Sequence, residues 1–279
     1  MKVVSTLDEL RSARRDLPSL LGLVPTMGFL HEGHLSLIKN AKAECKSVGA
    51  SIFVNPTQFG EGEDLGAYPR DLPRDLGLLE EEGVDLVWVP TVEDVYPANS
   101  QTWVVVEELT KHLEGKQRPG HFRGVTTVVA KLFNAFQPDR AYFGQKDAQQ
   151  ALVIQRMVED LLFPVEIVVC PIVREEDGLA MSSRNTYLDP EQRRAAIVLQ
   201  SALREAAERF KNGERDAKVL RGRMLAVIQD EPLARAQYVS VADPVTLEEV
   251  QGEIQCALLS MAVYVGETRL IDNLIVGFD

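Results

Sequence analysis

Cysteine is scarce in this sequence, which contains Cys45, Cys170 and Cys256 among its 279 residues. Three cysteines that lie far apart form neither a disulfide framework nor a zinc knuckle, so we expect small buried side chains in a reducing compartment. Long apolar runs are also missing, since none approaches the roughly 20 residues that a membrane span needs. The first residues lack the apolar region of a signal peptide. These absences predict a cytoplasmic protein without a membrane partner.

Positive charge is the next deficit. The 30 lysines and arginines are outnumbered by 42 aspartates and glutamates, which gives a formal net charge of -12. A nucleic-acid backbone would find little general attraction to such a chain, so we expect no nucleic-acid partner. A small anionic substrate stays open, because a local cluster of donors can act against the overall sign of the charge.

Short apolar runs alternate with helical patterns over the first 174 residues. This alternation predicts an α/β domain in which a doubly wound, Rossmann-like parallel sheet is covered by helices. The predicted strands are "LLGLVP", "ASIFV", "VDLVWVP", "RAYFG" and "VEIVVCP", and the predicted helices are "HLSLIKNAKAEC", residues 74–82, "GVTTVVAKLFNAF" and "DAQQALVIQRMVEDL".

Residues 175–279 have a different pattern, in which a polar loop precedes two helices and three strands. The helices are predicted over residues 190–211 and 216–229, and the strands at "AQYVSVAD", "CALLSMAVYVG" and "TRLIDNLIV". We therefore predict a smaller C-terminal α+β domain with an antiparallel sheet, and a domain boundary between residues 174 and 175.

Two of the four histidines lie in "VPTMGFLHEGHLSLI", residues 24–38, where a predicted strand leads into a helix. Gly28 and Gly33 allow a ligand to approach the backbone, and the N–H groups of a helix N-terminus bind phosphate. A zinc-protease helix needs H-E-x-x-H and a third ligand, whereas His31 and His34 are only three apart. A capped turn whose histidines only satisfy backbone groups is the other interpretation. We favour phosphate binding, although neither the P-loop nor the G-x-G-x-x-G pattern is present.

Three further polar stretches draw attention. "FVNPTQFG" places the neutral side chains of Asn55 and Gln58 after the second predicted strand, where they would suit a carboxylate or a hydroxyl, although turn formation alone would also explain Asn-Pro. "YFGQKDAQQ" places Lys146 at a helix start as a phosphate ligand, beside Asp147, which would be a further site residue or only an N-cap. "REEDGLAMSSRN" offers two hydroxyls and a guanidinium for a polyphosphate, or only a cap for the helix at Pro190.

Together with "YPR", "RPGHFRGVTTVVAKLFN" and "TRLIDN", these motifs resemble the pantoate–β-alanine ligase family over essentially the whole chain. The resemblance implies an ATP-dependent condensation of pantoate with β-alanine to pantothenate, through a pantoyl adenylate and with release of AMP and pyrophosphate. It also implies Mg²⁺ and a homodimer.

The resemblance assigns roles residue by residue. His34, His31, Lys146 and Arg184 would be catalytic, and Gln58 and Gln150 would bind pantoate, with Gln58 also near the β-alanine position. The resemblance assigns no metal ligand, and we separately expect Asp75, which follows "YPR", to lie near the metal. ATP would be bound by Met27, Gly28, Phe29, Leu30, His31, Glu32, Gly33, His34, Gly144, Gln145, Lys146, Asp147, Val173, Met181, Ser182, Ser183 and Arg184, the last four in a mobile loop.

The sequence departs from the family pattern at Gln145, where Glu is usual, and at Ala148, where an aromatic residue is usual. The resemblance also places the family in a nucleotidylyltransferase superfamily related to the class I aminoacyl-tRNA synthetases. Two alternatives stay open. One is another nucleotidylyltransferase of that superfamily, which would share "HEGH" but would not need "NPTQF" and "DAQQ" to bind a branched hydroxy acid such as pantoate. The other is a non-catalytic nucleotide-binding protein.

Overall fold

The computed structural model of the chain describes residues 1–277, and residues 278–279, at the end of the predicted second domain, lie outside them. The strands are β1 (Lys2–Val4), β2 (Leu21–Thr26), β3 (Ser47–Ile52), β4 (Leu86–Trp88), β5 (Arg140–Gly144), β6 (Glu166–Cys170), β7 (Ala234–Ala242), β8 (Ala257–Val265) and β9 (Thr268–Val276). The helices are α1 (Leu7–Arg15), α2 (Glu32–Glu44), α3 (Leu72–Glu81), α4 (Val92–Val95), α5 (Leu113–Gln117), α6 (His121–Phe136), α7 (Ala148–Asp160), α8 (Pro190–Ala195), α9 (Val198–Lys211) and α10 (Ala217–Gln229). Short 3-10 turns cover Pro56–Gln58, Leu109–Lys111, Gln145–Asp147 and Ser183–Tyr187.

The chain divides into two compact units. The first comprises Met1–Gln145 and Gln150–Pro171, and the second comprises Lys146–Gln149 and the chain from Ile172 onward. The domain boundary between residues 174 and 175 stays a prediction.

The first unit is built on a six-stranded parallel sheet with the strand order β1-β4-β3-β2-β5-β6. The chain moves from β2 to β3 on one side, then returns past β2 to place β5 on the other, so the strand order reverses between β2 and β5. In such sheets ligands bind outside the carboxyl ends of the strands at the reversal point. The prediction of a Rossmann-like parallel sheet is confirmed.

Burial on both faces explains why the central strands read as continuous apolar runs. All six residues of β3 and five of the six in β2 are buried, as expected for a parallel sheet covered by helices. Helix α6 is buried almost all round and contributes Phe133 and Phe136 to the core, where Phe136 packs edge-on against Trp88 of β4.

The second unit contains an antiparallel sheet of three strands in the order β7-β8-β9. Leu199 and Leu203 of α9 and Leu220 and Met224 of α10 form a core with the sheet. This confirms the predicted smaller α+β domain with an antiparallel sheet.

The helix predicted over residues 190–211 is wrong in one respect, because it is two helices. Helix α8 ends at Ala195 and α9 begins at Val198. Between them, Ile197 N–H donates to Arg194 O and Leu199 N–H donates to Ala196 O. Each bond spans three residues, so the backbone turns more tightly there than in an α-helix. Neither glycine nor proline marks this break, so the sequence carried no signal for it.

Among the described residues, no helix is long and apolar enough to cross a membrane.

Candidate active site

The loop after β2 is held in an unusual backbone conformation. Gly28 has φ +85° and Phe29 has φ +51°, both in the left-handed region. The Thr26 hydroxyl donates to Ser51 O at 2.7 Å and accepts from Gly28 N–H at 3.2 Å. A side chain at position 28 would begin 3.1 Å from Asp75 Oδ2. Glycine is therefore needed there to let the loop close onto Asp75.

Asp75 of α3 fixes the same loop from the other side. Its two carboxylate oxygens accept from Phe29 N–H and Leu30 N–H, each at 2.7 Å. Burial raises the pKa of this carboxyl above its usual value, while the two N–H donors act in the opposite direction. Neighbouring Arg74 donates to Leu30 O at 2.9 Å. Asp75 therefore holds the backbone that precedes the two histidines, in addition to any part near a metal.

His31 and His34 together cap the N-terminus of α2. Nδ1 of His31 accepts from Gly33 N–H at 3.1 Å, and Nδ1 of His34 accepts from His31 N–H at 3.4 Å. The ring centroids lie 4.1 Å apart. An Nδ1 that accepts a hydrogen bond carries no proton, so the proton of each ring is on Nε2. Capping and phosphate binding are thus compatible, because capping by Nδ1 makes Nε2–H a donor.

The remaining predicted ATP-binding residues of this segment differ in what they can offer. The Leu30 side chain is buried in the core. Glu32, the first residue of α2, forms an exposed ion pair with Lys39. Neither side chain is therefore suited to attract phosphate, and only the backbone of these two positions is suited to that role.

Gln58 lies in the 3-10 turn after β3 and contacts another predicted site residue. Its Nε2 donates to Met27 Sδ at 3.2 Å, and its Oε1 accepts from Asn55 Nδ2 at 3.0 Å. Buried Asn55 also donates to Gly124 O of α6 at 3.2 Å and accepts from Thr57 N–H. The structure thus brings the pantoate candidate Gln58 beside the ATP candidate Met27.

His121, which the sequence interpretation did not assign, supports Gln58 from α6. Its Nδ1 lies 2.8 Å from Gln58 O, and its Nε2 lies 3.1 Å from Arg118 Nη1. A carbonyl and a guanidinium fix these roles, so Nδ1–H donates and Nε2 accepts in a neutral ring. Burial lowers the pKa of His121 to about 4, and the charge of Arg118 acts in the same direction. The guanidinium also makes a bidentate pair with Glu63 at 2.7 Å. The motif "RPGHFRG", which contains both Arg118 and His121, was the sequence signal for this support.

In the second unit, residues 173–181 form a tight hairpin that leads into "MSSR". Met181 N–H donates to Val173 O at 3.0 Å, and Glu175 N–H donates to Leu179 O at 2.8 Å, so two predicted ATP-binding residues, Val173 and Met181, are paired. Ser182 Oγ accepts from Arg184 N–H at 3.2 Å, and Ser183 is buried. The cap of α8 is Asp189, which accepts from two backbone N–H groups. Capping of α8 therefore does not account for the two serines.

The other predicted residues lie at or beyond the end of β5. Gly144 is its last residue, Gln145 follows in the first unit, and Gln150 lies in α7. Lys146 and Asp147 belong to the second unit, where Nζ and Oδ1 lie 3.7 Å apart. Within residues 1–277, no cluster of three or more histidine, cysteine or acidic side chains could hold a metal ion.

Comparison with known proteins places these observations in a family. The sequence model of the Pantoate-beta-alanine ligase family matches residues 2–275. Pantothenate synthetase of Roseiflexus sp. (strain RS-1) is 62% identical over 276 residues, which are 99% of each chain.

Two solved structures agree. Pantothenate synthetase from Thermus thermophilus has a TM-score of 0.94 and 50% identity, covering 98% of this chain and 99% of that one. Pantoate-beta-alanine ligase from Francisella tularensis, complexed with beta-gamma ATP and beta-alanine, has a TM-score of 0.82 and 34% identity, covering 100% of this chain and 99% of that one. The chain therefore belongs to the pantoate–β-alanine ligase family.

Proposed function

We propose that this protein catalyses the ATP-dependent condensation of pantoate with β-alanine to pantothenate, through a pantoyl adenylate and with release of AMP and pyrophosphate. The observation that carries the proposal is the pair of histidines whose Nδ1 atoms cap α2, in a chain that matches the family from residue 2 to residue 275. Their Nε2–H groups, at the carboxyl end of β2, supply fixed donors where an open α/β sheet binds its ligand.

In the first step, a pantoate carboxylate oxygen attacks the α-phosphorus of ATP, and the bond to the pyrophosphate oxygen breaks. Negative charge shifts among phosphate oxygens, so donors already in place lower the barrier. His34 and His31 would donate Nε2–H to these oxygens. Pyrophosphate leaves as an anion and needs no proton, so His34 acts as an electrostatic stabiliser. Gln58 and Gln150 would hold pantoate.

For the second unit we propose the same nucleotide as ligand. Lys146 would meet phosphate as a point charge, and the Ser182 and Ser183 hydroxyls with the Arg184 guanidinium would donate to further oxygens. The hydrogen bond from Met181 N–H to Val173 O holds the backbone at which the segment with Ser182, Ser183 and Arg184 begins.

In the second step, the neutral amine of β-alanine attacks the adenylate carbonyl, the amide C–N bond forms while the acyl C–O bond to AMP breaks, and the amine loses a proton to solvent. The same donors would hold the α-phosphate while it leaves. No covalent intermediate with the protein is needed, because the acyl group is already activated as the adenylate.

Mg²⁺ would accompany ATP. The described residues form no dedicated cage of ligands, which fits an ion that keeps several waters and binds through substrate phosphates plus at most one or two carboxylates. When bound, it would offset the charge of the departing pyrophosphate. We also propose that the protein is cytoplasmic and that it forms a homodimer. Sedimentation of the purified protein tests the homodimer.

The product assay tests the proposed reaction. The protein is incubated with ATP, Mg²⁺, pantoate and β-alanine, and AMP and pantothenate are followed together. We expect both in equal amounts, and neither when pantoate is omitted. AMP that forms only with a different acceptor would indicate another nucleotidylyltransferase, and binding of ATP without AMP under any condition would indicate a non-catalytic protein.

A further inference from the structure

The motif "RLIDN" on β9 contains a buried charge in an apolar setting. Residues alternate faces along a strand, and Leu270, Leu274 and Val276 share one face that packs against the core of the second unit. Asp272 lies at the same parity, yet it carries a carboxylate that is only 2% exposed. A buried charge is costly unless it is paired and hydrogen-bonded.

The partner of Asp272 is the first residue of "REEDGLA". The Arg174 guanidinium donates to both carboxylate oxygens, from Nη1 to Oδ2 at 2.7 Å and from Nη2 to Oδ1 at 2.9 Å. The same Nη1 donates across the hairpin to Gly178 O at 3.0 Å. One guanidinium therefore braces the hairpin internally and ties it to β9.

The other side of the hairpin is held by Arg193 of α8. Its guanidinium pairs with Glu175 at 2.6 Å and with Asp177 at 2.8 Å. Asn185, just beyond "MSSR", donates to Glu175 Oε1 and to Ala180 O. The four residues Met181, Ser182, Ser183 and Arg184 thus lie between anchored positions.

Asn273, next to Asp272 on the strand, faces the opposite side of the sheet. Its Nδ2 donates to Lys146 O at 2.9 Å, and its backbone N–H donates to Asp272 Oδ1 at 2.8 Å. Two consecutive residues of β9 therefore hold the hairpin before "MSSR" and the backbone of Lys146.

A buried ion pair of this kind contributes little net stability compared with apolar residues of the same volume, but its geometry is directional. We propose that Asp272 and Asn273 are positioning residues, which hold Lys146 and the "MSSR" segment in the positions that they need to bind the triphosphate of ATP. This inference rests on the proposed function. Neither residue touches the reacting atoms, and each acts through Arg174 or Lys146.

The positions of Lys146 and the "MSSR" segment matter most in the first step, because only that step involves the β- and γ-phosphates. Displacement of catalytic donors by about 1 Å costs up to roughly 100-fold in rate. A defect in positioning should therefore appear in the exchange of pyrophosphate into ATP, and much less in the reaction of supplied pantoyl adenylate with β-alanine.

The test compares Asn273→Ala and Arg174→Lys with the matched control Arg221→Lys, each measured for both half-reactions and for its unfolding midpoint. Arg174→Lys keeps the charge but loses the bidentate grip. Arg221, a half-buried arginine of the same unit, pairs with Glu249 and donates to Val250 O, outside the hairpin.

We expect Asn273→Ala and Arg174→Lys to lower pantoate-dependent exchange by roughly 10- to 100-fold, with a raised KM for ATP. The reaction of supplied pantoyl adenylate should change by less than about threefold, and Arg221→Lys should leave both half-reactions within that range. Equal losses in the two half-reactions, or an unchanged exchange rate in Asn273→Ala, would overturn the proposal. If Arg174→Lys does not fold, Asn273→Ala decides, since it leaves the ion pair in place.

The wild-type protein separates this inference from the proposed function. Wild type without pantoate-dependent exchange contradicts the proposed function itself. Wild type with normal exchange, alongside an equally active Asn273→Ala variant, contradicts only the positioning role.

Discussion

At the residue scale, the chemistry depends on which nitrogen of each imidazole meets the backbone. In His31 and His34 it is Nδ1, which accepts from an N–H group and leaves the proton on Nε2. In His121 it is again Nδ1, but the partner is the carbonyl of Gln58, so the proton is on Nδ1 and Nε2 accepts. An imidazole thus keeps its proton on Nε2 at the start of α2, where we propose that it donates to phosphate, and on Nδ1 in α6, where it supports a loop.

Replacing His34 removes one of the proposed phosphate donors. We expect His34→Ala to lower pantoate-dependent pyrophosphate exchange by about 10²–10³-fold, as for loss of a transition-state donor. Lys39→Ala serves as the control, because Lys39 lies on the same helix and pairs with exposed Glu32 and with Glu82. A loss below about threefold in His34→Ala would show that His34 is not a transition-state donor.

The carboxylate of Asp75 is expected to matter through the loop that it holds. An asparagine there has one acceptor oxygen for the N–H groups of Phe29 and Leu30, so one of them loses its partner. We expect Asp75→Asn to lower the free energy of unfolding by about 1–3 kcal/mol and to lower exchange by roughly 10- to 100-fold. Asp71→Asn is the matched control, since asparagine also caps a helix such as α3. Equal effects of the two substitutions on exchange would contradict this role.

His121 gives the fold a pH dependence with a defined sign. Its pKa is about 4 when folded, against 6.5 for the free side chain. The unfolded chain therefore binds the proton first, so the stability that neutral His121 provides is complete above about pH 6.5 and is lost as the pH falls toward 4. Urea unfolding at pH 7, 6 and 5 should show a slope from this group of up to about 1.4 kcal/mol per pH unit. His121→Gln should flatten the curve by that amount, and identical slopes for both proteins would contradict the assignment.

At the element scale, helix α6 sets the position of the turn that carries Gln58. Helix and turn approach so closely at Gly124 that a Cβ there would lie 2.4 Å from Thr57 O and 2.7 Å from Gln58 N. The carbonyl of Gly124 accepts from Asn55 at the same place. Glycine is required here by the closeness of two backbones.

Gly124→Ala should therefore displace the turn. We expect a loss of about 1–3 kcal/mol in unfolding free energy and a KM for pantoate raised by roughly tenfold. The control is Gly77→Ala at an exposed position of α3, where a Cβ would meet nothing within 4 Å, and where alanine should add about 0.5–1 kcal/mol. An unchanged KM for pantoate in Gly124→Ala would contradict the proposed role of Gln58 in binding pantoate.

Elements with a strong period could be predicted from the sequence, and those without one could not. The prediction of "RAYFG" coincides with β5, and the prediction over residues 216–229 finds α10 with Asp216 as its cap. Strand β1 was missed because it has only three residues, of which only Val4 is buried. Helix α1 was missed because it buries only Leu10 and Ala13, although its capping box of Thr6 and Glu9 was a usable signal.

At the scale of the whole molecule, the parallel sheet explains why motifs far apart in sequence could be assigned to one kind of site. "HEGH", "NPTQF" and "GQKD" each follow a strand, and the carboxyl ends of parallel strands meet at one edge. The supporting residues could not be found in this way. Asp75 lies 46 residues from Phe29, His121 lies 63 from Gln58, and Asp272 lies 98 from Arg174. Only the folded chain brings such partners into contact.

The central claim is that the chain activates pantoate as an adenylate before β-alanine takes part. The direct measurement is the exchange of labelled pyrophosphate into ATP, with Mg²⁺ and pantoate present and β-alanine left out. We predict exchange that requires pantoate and does not require β-alanine. Exchange that appears only when β-alanine is added, or that proceeds equally well without pantoate, would contradict the account.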